Sequence, residues 1–319
     1  MYKERILSRL ATADTPVSGN DLAEELGISR TAIWKHIDVL RRSGMQITSH
    51  IGRGYTVQSD VLTSHILETR LCTRLIGRPS HVLDQVDSTN TEIMRQANDG
   101  APEGMVVIAN RQHTGRGRLG RRWHTSPGDT LAMSILLRPD ISPEEVPQLS
   151  LMTAVAVHEA LGQYSDGLLI KWPNDILHGR AKVAGILTEM RAEPGHVQSV
   201  VIGIGVNIRA PAGGWPAEIR HIATDLSTAA GTDVSRLEAA VAILSRLEHH
   251  YLRHLEKGFD PVRRQWWAAH AACYKPVRVH DGEKYIEGIA EALDSDGALL
   301  LRTSAGVMRI IAGDLELGE

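Results

Sequence analysis

Residues 112–123, which read QHTGRGRLGRRW, limit the fold of this chain more than any other stretch. From Arg111 to His124 there are five arginines, three glycines and no acidic residue. A segment of this composition disfavours helix and strand and cannot fill a core. Its backbone N–H groups and guanidinium groups are well suited to surround an anion. The stretch therefore predicts a long anion-binding surface loop between two strands.

Length, charge and cysteine content set the class of protein. The 319 residues predict about two or three domains, and 42% hydrophobic residues suffice for buried cores. The formal net charge of −3 predicts no global affinity for nucleic acid, so a basic site has to be local. Cys72 and Cys273 form no CxxC motif and argue against a disulfide framework. With no segment near ~20 apolar residues and no signal-like start, we expect a cytoplasmic protein without a membrane partner.

The first 62 residues have the pattern of a winged helix-turn-helix domain. Helices are predicted over Lys3–Ala13, from Ser18 to Leu26, and from Ser29 to Leu40. Gly27 turns the chain between the last two, and Met45–Val57 predicts a two-stranded wing. Ser18 with Asp21, three residues on, has the spacing of a capping box, and Ser29 is placed to cap the third helix.

The basic residues of this domain are concentrated where DNA would lie. Between Arg30 and Arg53 there are five basic residues and one acidic residue, Asp38. The N-terminal part of the third helix is the part that enters a major groove, and a wing tip reaches phosphate or minor groove. The predicted DNA-binding residues are Arg30, Thr31, Lys35 and Arg53. Winged helices also serve as protein-docking modules, and that alternative stays open. Because one such unit is small, we expect a dimer on a two-fold site.

Residues 63–271 predict strands alternating with helices. A helix is expected over Thr63–Ile76, and a long helix over Arg236–Lys257 carries His249, His250 and His254, interpreted as a solvated face and not as a zinc site. The remaining expected elements are strands at His81–Val86, Met105–Asn110, Leu131–Leu137, 168–171, 182–189 and Ser199–Ile208, and helices at Thr91–Asn98 and Val146–Leu161.

Three local patterns in this region point to a ligand. Asp87-Ser-Thr-Asn90 lies at a strand-to-helix corner and offers hydroxyls and free N–H groups, although taken alone a plain helix cap explains it better. The arginine loop matches G-x-G-x-x-G, but the helix that a dinucleotide fold needs is absent, since Pro127-Gly128-Asp129 follows. A mobile lid is the favoured interpretation, and a solvated loop that binds nothing is the alternative.

The third pattern combines two strands and a corner. Lys171-Trp-Pro-Asn-Asp175 ends a strand and presents Asn174 and Asp175, and Lys182 opens the next strand before Gly185. In Gly203-Ile-Gly205-Val-Asn207, the two glycines clear one face, where a flat ligand could lie. A β-bulge or packing against a helix is the alternative explanation of the two glycines.

In this order and spacing the motifs resemble the biotin protein ligase family, in particular its members that also repress the biotin operon. Asp87-Ser-Thr-Asn90, Gly115-Arg-Gly-Arg-x-Gly120-Arg-x-Trp123, Lys171-Trp-Pro-Asn-Asp175, Lys182-x-Ala-Gly185-Ile-Leu and Gly203-x-Gly-x-Asn207 carry the resemblance. With both terminal domains it spans nearly the whole chain. Leu119 departs from the pattern, since some relatives have arginine there, and we expect this to change the phosphate contacts modestly.

The resemblance implies an α+β protein with three domains. These are a winged helix-turn-helix DNA-binding domain (1–62), a biotin- and ATP-binding catalytic domain with a mixed sheet like class II synthetases (63–271), and an SH3-like barrel (272–319). The barrel is also predicted directly, by four short strands between 276 and 312 with tight turns.

It further implies that biotin and ATP, with Mg²⁺, form biotinyl-5′-AMP, and that biotin then passes to one lysine of the biotin carboxyl carrier protein of acetyl-CoA carboxylase. The adenylate is expected to drive homodimerisation on operator DNA. The implied catalytic residues are Lys182 and Arg118. The implied biotin-binding residues are Ser88, Thr89, Asn90, Gln112, Arg116, Gly117, Arg118, Lys182, Gly185, Gly203 and Gly205. The implied nucleotide-binding residues are Arg118, Arg121, Trp123, Asn174, Lys182 and Asn207. No residue is assigned to a resident metal. A lipoate or octanoate ligase and a non-catalytic winged-helix sensor of an anion are the alternatives.

Overall fold

The computed structural model describes residues 2–42, 45, 47–57 and 60–318. Its N-terminal elements are α1 (Tyr2–Ala11), α2 (Gly19–Leu26), α3 (Arg30–Arg42), β1 (Ile47–His50) and β2 (Gly54–Val57). The two strands pair antiparallel, with Ile47 opposite Val57. The predicted three helices and wing are confirmed, apart from Gln46, which lies outside the described residues.

Side chains explain where these helices begin. Ser18 Oγ accepts a hydrogen bond from the N–H of Asp21 at 3.0 Å, and Ser29 Oγ accepts one from Ala32 at 3.2 Å. The reciprocal half of the expected capping box is absent from the described residues, because aspartate is one methylene shorter than the glutamate of that motif. The inward face of α3 consists of Ile33, Ile37 and Leu40, all buried.

The central part contains a seven-stranded mixed sheet with the order β3-β4-β5-β9-β8-β7-β6. Only the β3–β4 pair is parallel among its described pairings. The helices are α4 (Ser64–Arg70), α5 (Thr89–Asn98), α6 (Val146–Gly162), α7 (Leu226–Ala230), α8 (Arg236–Lys257) and α9 (Asp260–Ala268). The strands are β3 (Ser80–Val86), β4 (Val106–Gln112), β5 (Thr130–Leu137), β6 (Leu168–Lys171), β7 (Asp175–His178), β8 (Ala181–Glu193) and β9 (His196–Asn207).

The helix expected over Thr63–Ile76 is wrong in its second half. The helix α4 ends at Arg70, because Leu71 is extended (φ −75°, ψ 131°). The N–H groups of residues 74–76 donate instead to the carboxylate of Glu248 on α8, at 2.7–3.1 Å. A partner distant in sequence thus replaces the carbonyl four residues back that would have continued the helix.

The sheet is covered on both faces. The helix α5 covers one face through a cluster that includes Ile93, Val107 and Val201. The helix α6 is buried along most of its length and packs between the sheet and α8.

The expectation of a solvated histidine face on α8 is wrong for two of its three histidines, since His250 and His254 are 1% and 6% exposed. His250 Nε2 lies 2.9 Å from Glu159 Oε2 on α6. A polar partner on the neighbouring helix makes this burial tolerable.

The C-terminal residues form a five-stranded antiparallel sheet with the order β13-β12-β11-β10-β14. Its strands are β10 (Pro276–His280), β11 (Tyr285–Leu293), β12 (Leu299–Thr303), β13 (Gly306–Ile310) and β14 (Asp314–Leu317). The first four were expected, and the fifth, the four-residue β14, was not. Across the described residues, no helix is long and apolar enough to cross a membrane.

Asp60 ties the segment after the wing to the central part. Its carboxylate accepts hydrogen bonds from Ser235 Oγ at 2.9 Å and from the N–H of Leu237 at 3.2 Å. It also lies 3.4 Å from the guanidinium of Arg209 and 3.6 Å from that of Arg236. Arg236, only 3% exposed, in turn donates to Asn110 Oδ1 on β4.

Candidate active site

One cavity of about 840 Å³ lies between the central sheet, the arginine loop and the C-terminal sheet. All of the residues predicted to be catalytic, biotin-binding or nucleotide-binding line it. They are Ser88, Thr89, Asn90, Gln112, Arg116, Gly117, Arg118, Arg121, Trp123, Asn174, Lys182, Gly185, Gly203, Gly205 and Asn207. Residues up to 119 positions apart in the sequence are thus brought to one place by the fold.

The corner between β3 and α5 is not a plain helix cap. Ser88 stands at the cap position of α5, but its side chain makes no capping hydrogen bond. Asp87 instead accepts from the N–H of Ser88 at 2.8 Å and pairs with Arg95. The hydrogen bond from Arg95 lowers the pKa of Asp87. The capping interpretation is therefore wrong, and Ser88 lines the cavity.

Thr89 and Asn90 belong to a buried polar network. The N–H and Oγ1 of Thr89 lie 2.8 and 3.1 Å from Gln112 Oε1. Ser134 Oγ lies 2.7 Å from Thr89 Oγ1 and 2.5 Å from Asn90 Oδ1. Asn90 Nδ2 donates to Glu189 Oε2 at 2.6 Å. This network fixes the polar end of the cavity before any ligand enters.

Sequence reasoning missed Ser134 and Glu189. Ser134 is fully buried in β5, where every residue is buried. A hydroxyl in the middle of such an apolar strand was the available signal, because buried polar groups need partners. Glu189 gave no comparable signal, since polar residues are common along β8.

The cleared face of β8 and β9 is filled by the protein's own side chains. A Cβ on Gly205 would lie 2.4 Å from Trp123 Cε2, and one on Gly203 would lie 2.3 Å from Asn90 Oδ1. Gly185 is paired with Gly205 in the ladder, and its Cβ would lie 3.4 Å from Trp123 Cζ3. The ladder has no register shift at these positions, so the β-bulge alternative is wrong.

Trp123 reaches this face because the arginine loop folds back on itself. The N–H of Trp123 donates to Gly115 O at 2.9 Å, and the N–H of Gly117 donates to Arg121 O at 2.7 Å. The indole Nε1 is buried and has no hydrogen-bond partner within the described residues. A buried donor without an acceptor is costly, so this N–H indicates a place where a ligand acceptor fits.

Lys182 carries its charge into the same space. Its Nζ lies 2.6 Å from Asp175 Oδ1 and 5.6 Å from the centre of the Trp123 ring. Its backbone N–H donates to Ile222 O at 2.6 Å. Asn207 Nδ2 donates to Thr224 O at 3.0 Å and lies 3.4 Å from Lys182 O. The Lys182 backbone is therefore held from two sides, while its ammonium group faces the cavity.

Arg118 and Arg121 join the loop to the C-terminal sheet. Arg118 donates to Gly313 O at 3.3 Å and to Asn174 Oδ1 at 3.4 Å, and Arg121 pairs with Asp314. Burial lowers the pKa of the Arg118 guanidinium, and the charges of Asp314 and Asp175 oppose that shift. Leu119 between them has a positive φ of 55°, which is unusual for leucine. The loop is thus anchored at both sheets, with its tip strained.

The other predicted loop arginine points elsewhere. Arg116 lies 3.3 Å from Glu189 Oε1 and 3.2 Å from Thr91 Oγ1. Its side chain therefore sits beside the polar network and away from Asp314. Asn174 donates to Ile186 O at 2.5 Å, so its amide nitrogen ties the corner before β7 to β8.

No group of three or more His, Cys, Asp or Glu side chains that could hold a metal ion occurs in the part of the chain that the structure describes. The carboxylate nearest to Lys182 in the cavity is that of Asp175. Mg²⁺ at nucleotide sites usually needs only one or two protein carboxylates, with phosphate and water completing its shell.

The predicted DNA-binding residues are all exposed and belong to α3 and the wing. Arg30, Thr31 and Lys35 are exposed on α3, and Arg53 is exposed at the turn of the wing. Arg41 and Arg42 are engaged within the domain, Arg41 with Ile47 O and Ser49 Oγ, and Arg42 with Asp38.

Comparison with known proteins bears on the whole chain. Residues 82–207 match the model of the biotin/lipoate A/B protein ligase family. Residues 3–56 match a helix-turn-helix domain model, and residues 275–318 match that of the biotin protein ligase C terminal domain. A Bacillus subtilis protein named bifunctional ligase/repressor BirA is 39% identical over 310 residues, covering 95% of this chain and 94% of its own. The chain belongs to the biotin protein ligase family.

Two further members of the biotin protein ligase family each cover about three quarters of this chain. A biotin–[acetyl-CoA-carboxylase] ligase of Paracoccus denitrificans is 35% identical over 244 residues, which are 74% of this chain and all of the relative. The solved structure of an Aquifex aeolicus biotin protein ligase in complex with biotin and ATP is 30% identical, with a TM-score of 0.64. It covers 75% of this chain and 98% of its own.

Proposed function

We propose that this protein is an ATP-dependent biotin protein ligase and a repressor of the biotin operon. It forms biotinyl-5′-AMP and transfers biotin to one lysine of the biotin carboxyl carrier protein of acetyl-CoA carboxylase. One observation carries the proposal: the arginine loop, Lys182, the polar network and the glycine pair line a single cavity. The full-length likeness to a bifunctional ligase/repressor supports both activities.

The first reaction joins two anions. A carboxylate oxygen of biotin attacks the α-phosphorus of ATP, a C–O–P link forms, the bond to the β-phosphate breaks, and pyrophosphate leaves. Fixed cations must offset the repulsion between carboxylate and triphosphate. Lys182 is proposed to lie between the biotin carboxylate and the α-phosphate, and Arg118 and Arg121 to contact phosphates. Mg²⁺ bound with ATP would offset phosphate charge, and Asp175 is a cavity carboxylate that would hold it.

The polar network is the proposed site for the ureido ring of biotin. Ser88, Thr89, Asn90 and Gln112 offer donors and acceptors there, and Arg116 and Gly117 border them. Gly185, Gly203 and Gly205 serve this site by making room for Trp123 and Asn90, which then face the ligand. Trp123 is proposed to cover the adenine side, with Asn174 and Asn207 beside the nucleotide.

The second reaction requires a dry site. The acceptor amine attacks the carbonyl carbon of the mixed anhydride, an amide bond forms, a proton is lost from the amine, and AMP leaves. Because the anhydride also reacts with water, a lid that excludes water is a chemical need. The segment from Gly115 to Trp123, anchored by Arg118 to both sheets, is the proposed lid.

The regulatory function follows from linkage. Biotinyl-5′-AMP is proposed as corepressor that favours a homodimer, which binds operator DNA through Arg30, Thr31, Lys35 and Arg53. The adenylate can raise DNA affinity only as far as it favours that dimer. Equal operator affinity with and without biotinyl-5′-AMP would contradict this part.

The proposed domains are 1–62 for DNA, 63–271 for catalysis and 272–319 for closing the nucleotide site. The central sheet is proposed to be of the class II synthetase type and the C-terminal sheet to be an SH3-like barrel. Since its acceptor and its operator are inside the cell, we place the protein in the cytoplasm.

The test is incubation with ATP, biotin and an unmodified carrier domain, scored by mass spectrometry for one biotinyl group on one lysine. Modification with lipoate or octanoate in place of biotin would identify the related ligase instead. No turnover with any acid, together with retained DNA binding, would identify a sensor.

A further inference from the structure

Trp34 is an exposed aromatic side chain on the solvent-exposed face of α3. It is 56% exposed, and its neighbours on that face, Arg30, Thr31 and Lys35, are exposed as well. Trp34 lies about one helical turn after the start of α3, and Asp38 lies about two turns after it. Trp34 therefore lies in the half of the helix that approaches base edges when such a helix enters a groove.

Nothing within the described residues explains this exposure. The side chain of Trp34 makes no hydrogen bond, ring stacking or cation–π contact there. The wing adds a second exposed apolar side chain, Ile51, which is fully exposed next to Gly52 and Arg53. Large exposed apolar side chains beside a polar surface mark a place where something binds.

The charges around Trp34 select the class of partner. Arg41 and Arg42 are engaged inside the domain, and Arg42 neutralises Asp38 on the same face. Arg30, Lys35 and Arg53 have no ion pair with any residue that the structure describes. The surface therefore presents uncompensated cations around an apolar centre, which suits a polyanion with apolar groups between its charges.

We propose that Trp34 reads thymine in the major groove by contact with its C5-methyl group. This rests on the proposed DNA-binding function and adds a specificity-determining residue to it. Among the base edges of the major groove, the thymine methyl is the apolar group, and flanking arginines and lysines then carry the phosphate and hydrogen-bond contacts. Trp34 contributes sequence preference, whereas Lys35 and Arg53 contribute affinity that depends on salt.

The experiment starts from a pool of random duplexes, because the operator is unknown. Full-length protein with biotin and ATP selects binding duplexes, and each thymine of the selected site is then replaced singly by deoxyuridine. Deoxyuridine keeps the hydrogen-bonding edge of thymine and lacks only the methyl group. We expect at least one replacement per half-site to lower affinity about fourfold, as for the loss of one buried methyl contact.

The same replacements are then measured with Trp34→Ala. In this variant the deoxyuridine effect at that position is expected to vanish, while Val39→Ala, on the same helix and 41% exposed, retains it. Trp34→Phe, which keeps an apolar ring, is expected to retain part of the effect. Circular dichroism and the melting temperature of each variant verify that α3 is folded.

The outcomes separate two failures. If the wild-type protein enriches no duplex, the proposed DNA-binding function fails and this inference with it. If the wild-type protein enriches a site but Trp34→Ala retains the deoxyuridine effect, or if no thymine methyl matters, the inference alone is overturned.

Discussion

Trp123 lies where a side chain at Gly205 would otherwise be: a Cβ there would sit 2.4 Å from Cε2 of the indole. A loop residue and a strand residue, 82 positions apart, thus depend on each other. The glycine is needed so that the lid can place its aromatic ring against the sheet.

Gly205→Ala is expected to displace the indole and lower kcat/KM for biotinylation about 5- to 150-fold, because overpacking costs about 1–3 kcal/mol. Gly213→Ala is the matched control, since a Cβ there meets nothing within 4 Å. Both variants are compared by steady-state biotinylation and by melting temperature. Wild-type activity in Gly205→Ala would show that the contact with Trp123 is dispensable.

Lys182→Gln is expected to slow adenylate formation about 100- to 1000-fold, because it removes the cation beside Asp175 that offsets two approaching anions. Transfer from preformed biotinyl-5′-AMP should change far less, since that step brings no second anion. The matched variant is Lys171→Gln, which removes another lysine that lines the same cavity and is measured in the same two half-reactions. Equal losses in the two half-reactions would assign Lys182 a structural role instead.

Arg118→Gly is expected to release biotinyl-5′-AMP about 10- to 100-fold faster, because the hydrogen bonds to Gly313 and Asn174 that anchor the loop are lost. Released adenylate should then modify lysines of bystander proteins. Arg111→Gly, an exposed arginine that precedes the loop, is the control. Dissociation measured by rapid dilution decides, and a wild-type rate would exclude the lid role.

Asp60→Asn is expected to destabilise the protein by about 3 kcal/mol or more, because Arg236 is buried and would lose its carboxylate partner. Asp233→Asn removes another carboxylate that pairs with Arg209, but its side chain is 74% exposed, so its cost should stay below about 1 kcal/mol. Thermal unfolding of both variants tests the difference. Equal melting temperatures of the two variants would mean that Asp60 does not stabilise the contact between the segment after the wing and the central part.

His270 predicts how stability changes with pH. Burial lowers the pKa of His270 to about 4, below its ordinary value of 6.5. The unfolded chain therefore takes up a proton near pH 6.5 that the folded chain refuses until about pH 4. The stability that the neutral, buried His270 allows is fully present above pH 6.5, and it is lost as the pH falls from 6.5 towards 4. When the melting temperature is measured from about pH 7.5 down to about pH 4.5, it should fall less steeply for His270→Asn than for the wild-type protein.

Much of the fold followed from local patterns. The helix-turn-helix, the wing and most central strands were predictable because apolar periodicity and cap residues act over a few positions. The same holds for the composition of the arginine loop, which forbids a core position. Two of the predictions that were wrong, the length of α4 and the solvated His250, involve partners far along the chain, Glu248 and Glu159.

The sequence by itself determined which chemical groups the site has: the arginines, Lys182, the glycines and the corner at Ser88. Only the tertiary structure decided what they touch. Ser134 and Glu189 joined the network, and Gly313 met Arg118 across 195 positions. Local sequence sets backbone preferences over a few residues, whereas such contacts arise from how whole sheets pack, and no short pattern encodes that packing.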